Sequence, residues 1–334
     1  MIELVEAVVD PVEPAVADTE TWQPPAYANP EAFAEQEVTV GSGPSAVPGT
    51  VALPCGEGPF PAAVLLAGGG PFDRDGTAGP NKNLKDIAWG LAGRGVAVLR
   101  FDKVTYTHRD RMAATPEFTP TDEYVPHAVA GIEILRGLPT VDSDRVFVIG
   151  HSMGGRFAPR VAATEPVVAG LVVLAGDTVP IQWSMVRVVD HLARVDPATA
   201  AVLPTVETAT EQAELVDSPE LSPTTPSEKL PFGMPAPYWL DMRAYDPVAV
   251  AATLDVPMLF MQGERDYQVT VDGDLAGWRA GLAGRPGITT RTYPADDHMF
   301  FPGTGPSMPA DYTRPHHVDP EVVADIADWM RSHG

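Results

Sequence analysis

Cysteine is almost missing from this sequence: Cys55 is the single one among 334 residues. One thiol excludes an intrachain disulfide and a cysteine-based metal cluster, and it fits a reducing compartment. Positive charge is scarce as well, with 22 Lys and Arg against 45 Asp and Glu and a net charge of −23. A surface that negative repels phosphate backbones and anionic lipid, so neither nucleic acid nor a membrane surface is an expected partner. No Lys or Arg precedes Arg74, so the chain lacks the positive opening of a secretory signal. Nor does any stretch approach the run of about eighteen apolar residues that a membrane span needs. The expected location is the cytoplasm.

What is present is ordinary globular composition, 44% apolar and 20% charged. A chain of this size removes roughly three-quarters of its unfolded surface from water, so its core needs no staple. The 36 prolines and 30 glycines are spread without period and punctuate short elements. Residues 1–34 are acidic and broken by Pro11, Pro14, Pro24, Pro25 and Pro30, and they read as an arm on the body. Two strand-like runs follow, Glu37 to Val40 and Thr50 to Leu53, joined by Gly-Ser-Gly-Pro turn chemistry as in an antiparallel hairpin.

Beyond the hairpin, short apolar runs alternate with segments of helical period. The runs are Ala62 to Ala67, Val96 to Phe101, Arg145 to Ile149, Leu171 to Ala175, Pro257 to Met261 and Ile288 to Tyr293. The helices are expected at Leu84 to Ala92, Thr121 to Leu138, Gly155 to Thr164, Val271 to Leu282 and Pro320 to Arg331. This alternation predicts an α/β fold, a mostly parallel sheet with helices on both faces. One gap, residues 177–256, is too long for a loop and carries helical runs, so it reads as a helical cap inserted between core segments 35–176 and 257–334.

The chemistry gathers where three of these strands end. After Arg-Val-Phe-Val-Ile comes Gly150-His151-Ser152-Met153-Gly154-Gly155 and then a helix, which sets Ser152 on a strand-to-helix turn. So sharp a turn needs small residues two positions to either side, and the helix start brings backbone N–H groups to the reacting centre. A serine nucleophile requires a base held by a third group. Asp266 follows the strand that ends at Met261, and His298 follows the strand that ends at Tyr293, in the chain order Ser, acid, His. Glu264 comes too early in its turn for the acid, and Asp297 adjoins His298, from where a bond to the ring is awkward. The oxyanion donors are expected from the N–H of Met153 and of Gly69, with Gly70 next in line, in the Gly68-Gly69-Gly70-Pro71 loop. A phosphate-cradling loop is the competing reading of these glycines, but no Gly-Lys-Ser/Thr follows and no G-x-G-x-x-G spacing is present.

These residues, together with Gly-Pro-Phe-Asp-Arg-Asp-Gly (70–76), Gly-Pro-Asn-Lys-Asn-Leu-Lys-Asp (79–86), Val-Leu-Arg-Phe-Asp-Lys (98–103), Gly-Glu-Arg-Asp-Tyr-Gln-Val (263–269) and Asp-Asp-His-Met-Phe (296–300), carry a resemblance. From about Gln36 onward the chain resembles the α/β-hydrolases, in the branch of bacterial acetyl esterases and dienelactone-hydrolase-like proteins. The resemblance implies a Ser152/Asp266/His298 triad, no metal or organic cofactor, and hydrolysis of short-chain carboxylic esters through an acyl-enzyme. One position departs from it. Relatives usually end the strand before the oxyanion loop in His-Gly, where this chain has Ala67-Gly68. A loop without that histidine leaves open a non-hydrolytic lyase, dehydratase or cyclase on the same Ser/His pair, and a ligand-binding protein stands as a further alternative.

Other residues have a functional and a structural reading. Trp183, Met185, Tyr238 and Trp239 in the insert, Met299, Phe300 and Phe301 after the histidine, and Tyr106 after its strand are candidates to line a substrate pocket or to pack. Trp183, Tyr238, Trp239, Phe300 and Tyr106 are the expected substrate contacts. Asp102 and Lys103 read as pocket residues or as an ion pair with each other, and Arg74, between Asp73 and Asp75, reads as a loop-fixing cation. His316-His317 has no third ligand near it in sequence, so no metal is expected. A small ester is the expected partner, and a homo-oligomer is left open.

Overall fold

A computed structural model describes residues 22–333. Residues 1–21, most of the expected arm, lie outside the described residues. The hairpin pairs β1 (Phe33–Val40) with β2 (Val47–Pro54) antiparallel, so the first strand starts earlier than its apolar run and takes in the last two residues of that arm. The chain then runs through β3 (Phe60–Leu66), a small ribbon of β4 (Thr77–Ala78) and β5 (Asn81–Lys82), α1 (Asn83–Ala92), β6 (Ala97–Phe101), α2 (Pro120–Arg136) and β7 (Val141–His151). It continues with α3 (Met153–Thr164), β8 (Leu171–Leu174), the longer helices of the insert α4 (Ile181–Val195), α5 (Val206–Asp217), α6 (Ala236–Ala244) and α7 (Pro247–Ala251), then β9 (Met258–Gly263), α8 (Ala276–Gly281), β10 (Ile288–Tyr293) and α9 (Pro320–Ser332).

Eight strands form one sheet in the order β1-β2-β6-β3-β7-β8-β9-β10. From β6 to β10 every pair is parallel, and only β2, the second strand of the hairpin, runs against the rest. Every residue of β6 and β9 is buried, as a strand covered on both faces demands. The period of two splits the core. Val64, Val148 and Val173 face α2 and α3 through Ile132, Leu135, Phe157 and Val161, while Leu65, Ile149 and Val172 face α1 and α9 through Ile87, Leu91, Val323 and Ile326.

The long gap holds helices, as its length requires. Arg156 of α3 ties both ends of this insert to the body: it pairs with Asp177 at 3.0 Å and donates to the Tyr245 carbonyl at 3.1 Å, and Tyr245 Oη returns a bond to the Arg156 carbonyl at 2.8 Å. The expected helix Val271 to Leu282 is instead a π-turn (Val271–Leu275) followed by α8. Its cause is Asp274, fully buried and accepting from the N–H groups of Thr178, Val179 and Thr270 and from Arg187, so the turn widens to aim one carboxylate at four donors. Among the described residues no helix is long and apolar enough to cross a membrane.

Candidate active site

From β3 the chain moves to β6 on one side, while β7 lies on the other. Such a switch opens a crevice at the carboxyl ends of the parallel strands. The Gly68-Gly69-Gly70 loop leaves β3 and Ser152 leaves β7, so both stand at that crevice.

Ser152 has φ 54° and ψ −123°, a strained conformation for a residue with a side chain. The surrounding glycines make it sterically feasible. A Cβ at Gly150 would lie 2.2 Å from the Gly154 carbonyl oxygen, and one at Gly154 would lie 2.6 Å from the oxygens of Leu66 and Ala67. The turn is locked by the Ser152 N–H donating to the Leu174 carbonyl at 2.8 Å and by α3, which starts at Met153.

Asp266 and His298 meet after β9 and β10, His298 Nδ1 donating to Asp266 Oδ2 at 2.7 Å, with both residues buried. The carboxylate is aimed by three further donors: Gln262 Nε2 on Oδ2 at 2.9 Å, and the N–H groups of Gln268 and Val269 on Oδ1 at 2.8 and 2.9 Å. Burial works against a charged His298, but attraction to Asp266 and the bond between them outweigh it and hold its pKa above the ordinary 6.5. His151 is the reverse case. Burial, and then the neighbouring His298, push its pKa down to about 3. A neutral ring that bonds a carbonyl must donate, so His151 Nε2–H holds the His298 carbonyl at 2.8 Å. Asp297 turns away from the ring, accepting from the N–H groups of Met299 and Phe301, and Glu264 is exposed.

The Gly68 carbonyl accepts from Lys103 Nζ at 2.8 Å and from Tyr124 Oη at 2.7 Å. Lys103 Nζ in turn donates to Tyr124 Oη and pairs with Glu123 at 3.2 Å, all three side chains being buried. Burial draws the lysine's pKa down, with Glu123 opposing. In a trans peptide the C=O and the next N–H point opposite ways. Holding the Gly68 oxygen down therefore turns the Gly69 N–H up, in a loop whose Gly68 approaches Ser152 so closely that a Cβ would sit 3.3 Å from the serine Cβ. Lys103 and Tyr124 thus supply the anchorage that Ala67 lacks.

Two cavities meet at Gly69. One is lined by Gly68, Ser152, His151, His298, Gln268 and Met299. The other is lined by Gly69, Gly70 and Met153 on the body and by Phe232, Met234, Tyr238 and Trp239 of the insert. A profile of the alpha/beta hydrolase family matches residues 63–325. The chain belongs to that family. It is 35% identical over 310 residues to the esterase EstD of Thermotoga maritima, covering 92% of this chain and 70% of that protein. Among solved structures it is similar to Est1E from Butyrivibrio proteoclasticus, with a TM-score of 0.57 and 14% identity over 89% of this chain and 99% of that one. An esterase from Pyrococcus furiosus gives a TM-score of 0.55 at 14% identity over 94% and 98%. At such identities the two structures speak for the fold.

In this α/β hydrolase, five aromatic residues expected at the substrate fall into two groups. Tyr238 and Trp239 line the second cavity. The other three line neither cavity. Trp183 donates to Asp217 within the insert, Phe300 is core against Tyr293, and Tyr106 is 47% exposed, its neighbour Thr105 being the residue of that helical turn that lines the second cavity. Met299 lines the first cavity, whereas Met185 and Phe301 are core. Asp102 and Lys103 are not partners. Asp102 binds Arg74 at 2.9 Å, and Lys103 goes beneath the glycine loop to Glu123. His317 pairs with Asp86 and His316 stacks on Phe301, so both have structural work. Sequence reasoning missed Glu123, Tyr124, His151 and Gln262. Of these, only His151 lay in a motif; Glu123 and Tyr124 sit in a helix whose residues look like any amphipathic stretch.

Proposed function

We propose that this α/β hydrolase is a serine esterase that cleaves carboxylic esters of short or small hydrophobic acyl groups through an acyl-enzyme. The observation that carries the reading is that His298, paired with Asp266, lines the same cavity as Ser152 on its strained turn. The activity named for EstD points the same way. Ser152 Oγ attacks the ester carbonyl while His298 Nε2 takes its proton, and Asp266 holds the ring by Nδ1 and stabilises the imidazolium. The N–H groups of Met153 and Gly69, with Gly70 behind them, receive the oxyanion. His298 returns the proton to the departing alcohol, then activates a water that releases the acid and restores Ser152. Helices α4 to α6 serve as a cap over the second cavity.

The lyase and cyclase alternative draws its motive from a loosened glycine loop, and the bonds from Lys103 and Tyr124 to Gly68 remove that motive. The test is labelling by a fluorophosphonate together with turnover of 4-nitrophenyl esters. The wild type labels at Ser152, and Ser152→Ala loses about 10³-fold or more in kcat. Retained turnover in that variant overturns the reading.

A further inference from the structure

Two residues that line the second cavity carry hydrogen-bond donors that the protein leaves unmet or weakly met. Trp239 is completely buried and lines it, and its Nε1–H has no acceptor among the described residues. An indole nitrogen can only donate, and buried donors left unmet are rare in folded proteins because they lose their bonds to water without replacement. Beside it, the Tyr238 hydroxyl finds among the described residues only the sulfur of Met153, at 3.7 Å, a weak acceptor. The other polar side chains there are engaged with one another. Thr105 donates to one oxygen of Glu123, and Lys103 pairs with the second. The cavity therefore offers two donors set in apolar walls, with its one carboxylate already matched by a cation.

The chemistry decides which part of a substrate enters. His298 must pass a proton to the departing alcohol, so the alcohol leaves on the side of the first cavity, which His298 lines, and the acyl chain runs past Gly69 into the second. We propose that the acyl group this enzyme selects carries a neutral oxygen acceptor, a keto or ether oxygen within its first few chain atoms, bound by Trp239 Nε1–H and Tyr238 Oη–H. This rests on the esterase reading given above. An anionic acyl group is disfavoured, because the cavity's lining holds Glu123 and no cation of its own.

The experiment compares 4-nitrophenyl pentanoate with its two ether isosteres, the ethoxyacetate and the 3-methoxypropanoate. Each kcat/KM is divided by the ester's rate of hydroxide hydrolysis to remove intrinsic reactivity. In the wild type at least one ether ester exceeds the pentanoate by about tenfold, the worth of one neutral hydrogen bond. In Trp239→Phe that ratio falls about threefold, to what the Tyr238 hydroxyl alone supports. Because the ratio is taken within one protein, a general loss from the space that Phe leaves cancels. If Trp239→Phe does not fold, Tyr238→Phe, which deletes only a hydroxyl, must lower the ratio by about threefold. A wild-type ratio near one alongside brisk pentanoate turnover overturns this inference and leaves the esterase standing. So does a ratio unchanged in every folded variant. No turnover of any ester and no fluorophosphonate label on Ser152 would instead overturn the esterase reading, and this inference with it.

Discussion

The floor beneath Gly68 and the loop that carries His298 both bury charged groups, in opposite ways. Under Gly68, the Lys103 ammonium meets a carboxylate, a phenol and a carbonyl, and the Glu123 carboxylate meets Lys103 and Thr105. Beside His298, Asp296 is fully buried and neither of its oxygens has a partner among the described residues. Burial, then the negative Asp319, Asp297 and Glu321, push its pKa up to about 8. A matched buried pair fixes geometry over a wide pH range, because each charge is held by the other. An unmatched acid must keep its proton, so the loop around it answers to pH.

Breaking the matched side has the largest effect on turnover. Lys103→Met strands the Glu123 carboxylate and frees the Gly68 carbonyl, so the protein loses about 3–5 kcal/mol of stability. Its kcat falls about 10²-fold as the Gly69 N–H loses its aim. Adding Glu123→Gln recovers much of the stability, as thermal unfolding will show, but not the turnover. Equal recovery of both would mean that the lysine serves folding alone.

The next effect reads the His298 side. Only the neutral ring acts as base, and its pKa lies above 6.5, so kcat/KM falls about tenfold per unit of pH below that point. The midpoint of the acidic limb in a pH–rate profile lies above 6.5, and His151, neutral down to about pH 3, adds no inflection between 5 and 8. A midpoint below 6.5 would contradict the coupling to Asp266.

Tyr124→Phe is milder. It removes one of two donors to Gly68, leaves Lys103 in place, and costs about 1 kcal/mol and at most about tenfold in kcat. Smallest for turnover is Asp296→Asn, which acts on stability. The folded chain keeps this proton up to about pH 8, while the unfolded chain releases it near the ordinary 3.8. The folded state therefore binds more protons in between, and stability falls as pH rises from about 4 to 8. The asparagine flattens that slope in denaturant titrations, so its advantage over wild type is greater at pH 8 than at pH 4.

Much of the fold was legible because its signals are local. Continuous apolar runs ended at Gly or Asp, and β10 (Ile288–Tyr293) lies where the pattern put it. Where charge interrupts a strand the pattern faltered: β7 begins at Val141, four residues before its apolar run, because Asp142, Ser143 and Asp144 form its polar opening. Lys103 was harder still. Its neighbour Asp102 looked like its partner, but successive residues at a strand end point to opposite sides, so one reaches Arg74 and the other enters the core. The aromatic residues were the least legible, since burial of Trp239 and its unmet N–H depend on walls brought from Phe118, Met153 and Phe232.

Periodicity, turn chemistry and chain order were enough to specify an α/β sheet, a serine at a glycine-flanked turn, and an acid and a histidine after later strands. Those features depend on residues within a few positions of each other. Tertiary structure alone decided which cation holds the glycine loop, which carboxyl beside His298 has no partner among the described residues, and which of several tryptophans lines the second cavity. Each of these is set by partners many residues away, and only the packed sheet and its insert bring them within the few ångströms at which hydrogen bonds and charges act.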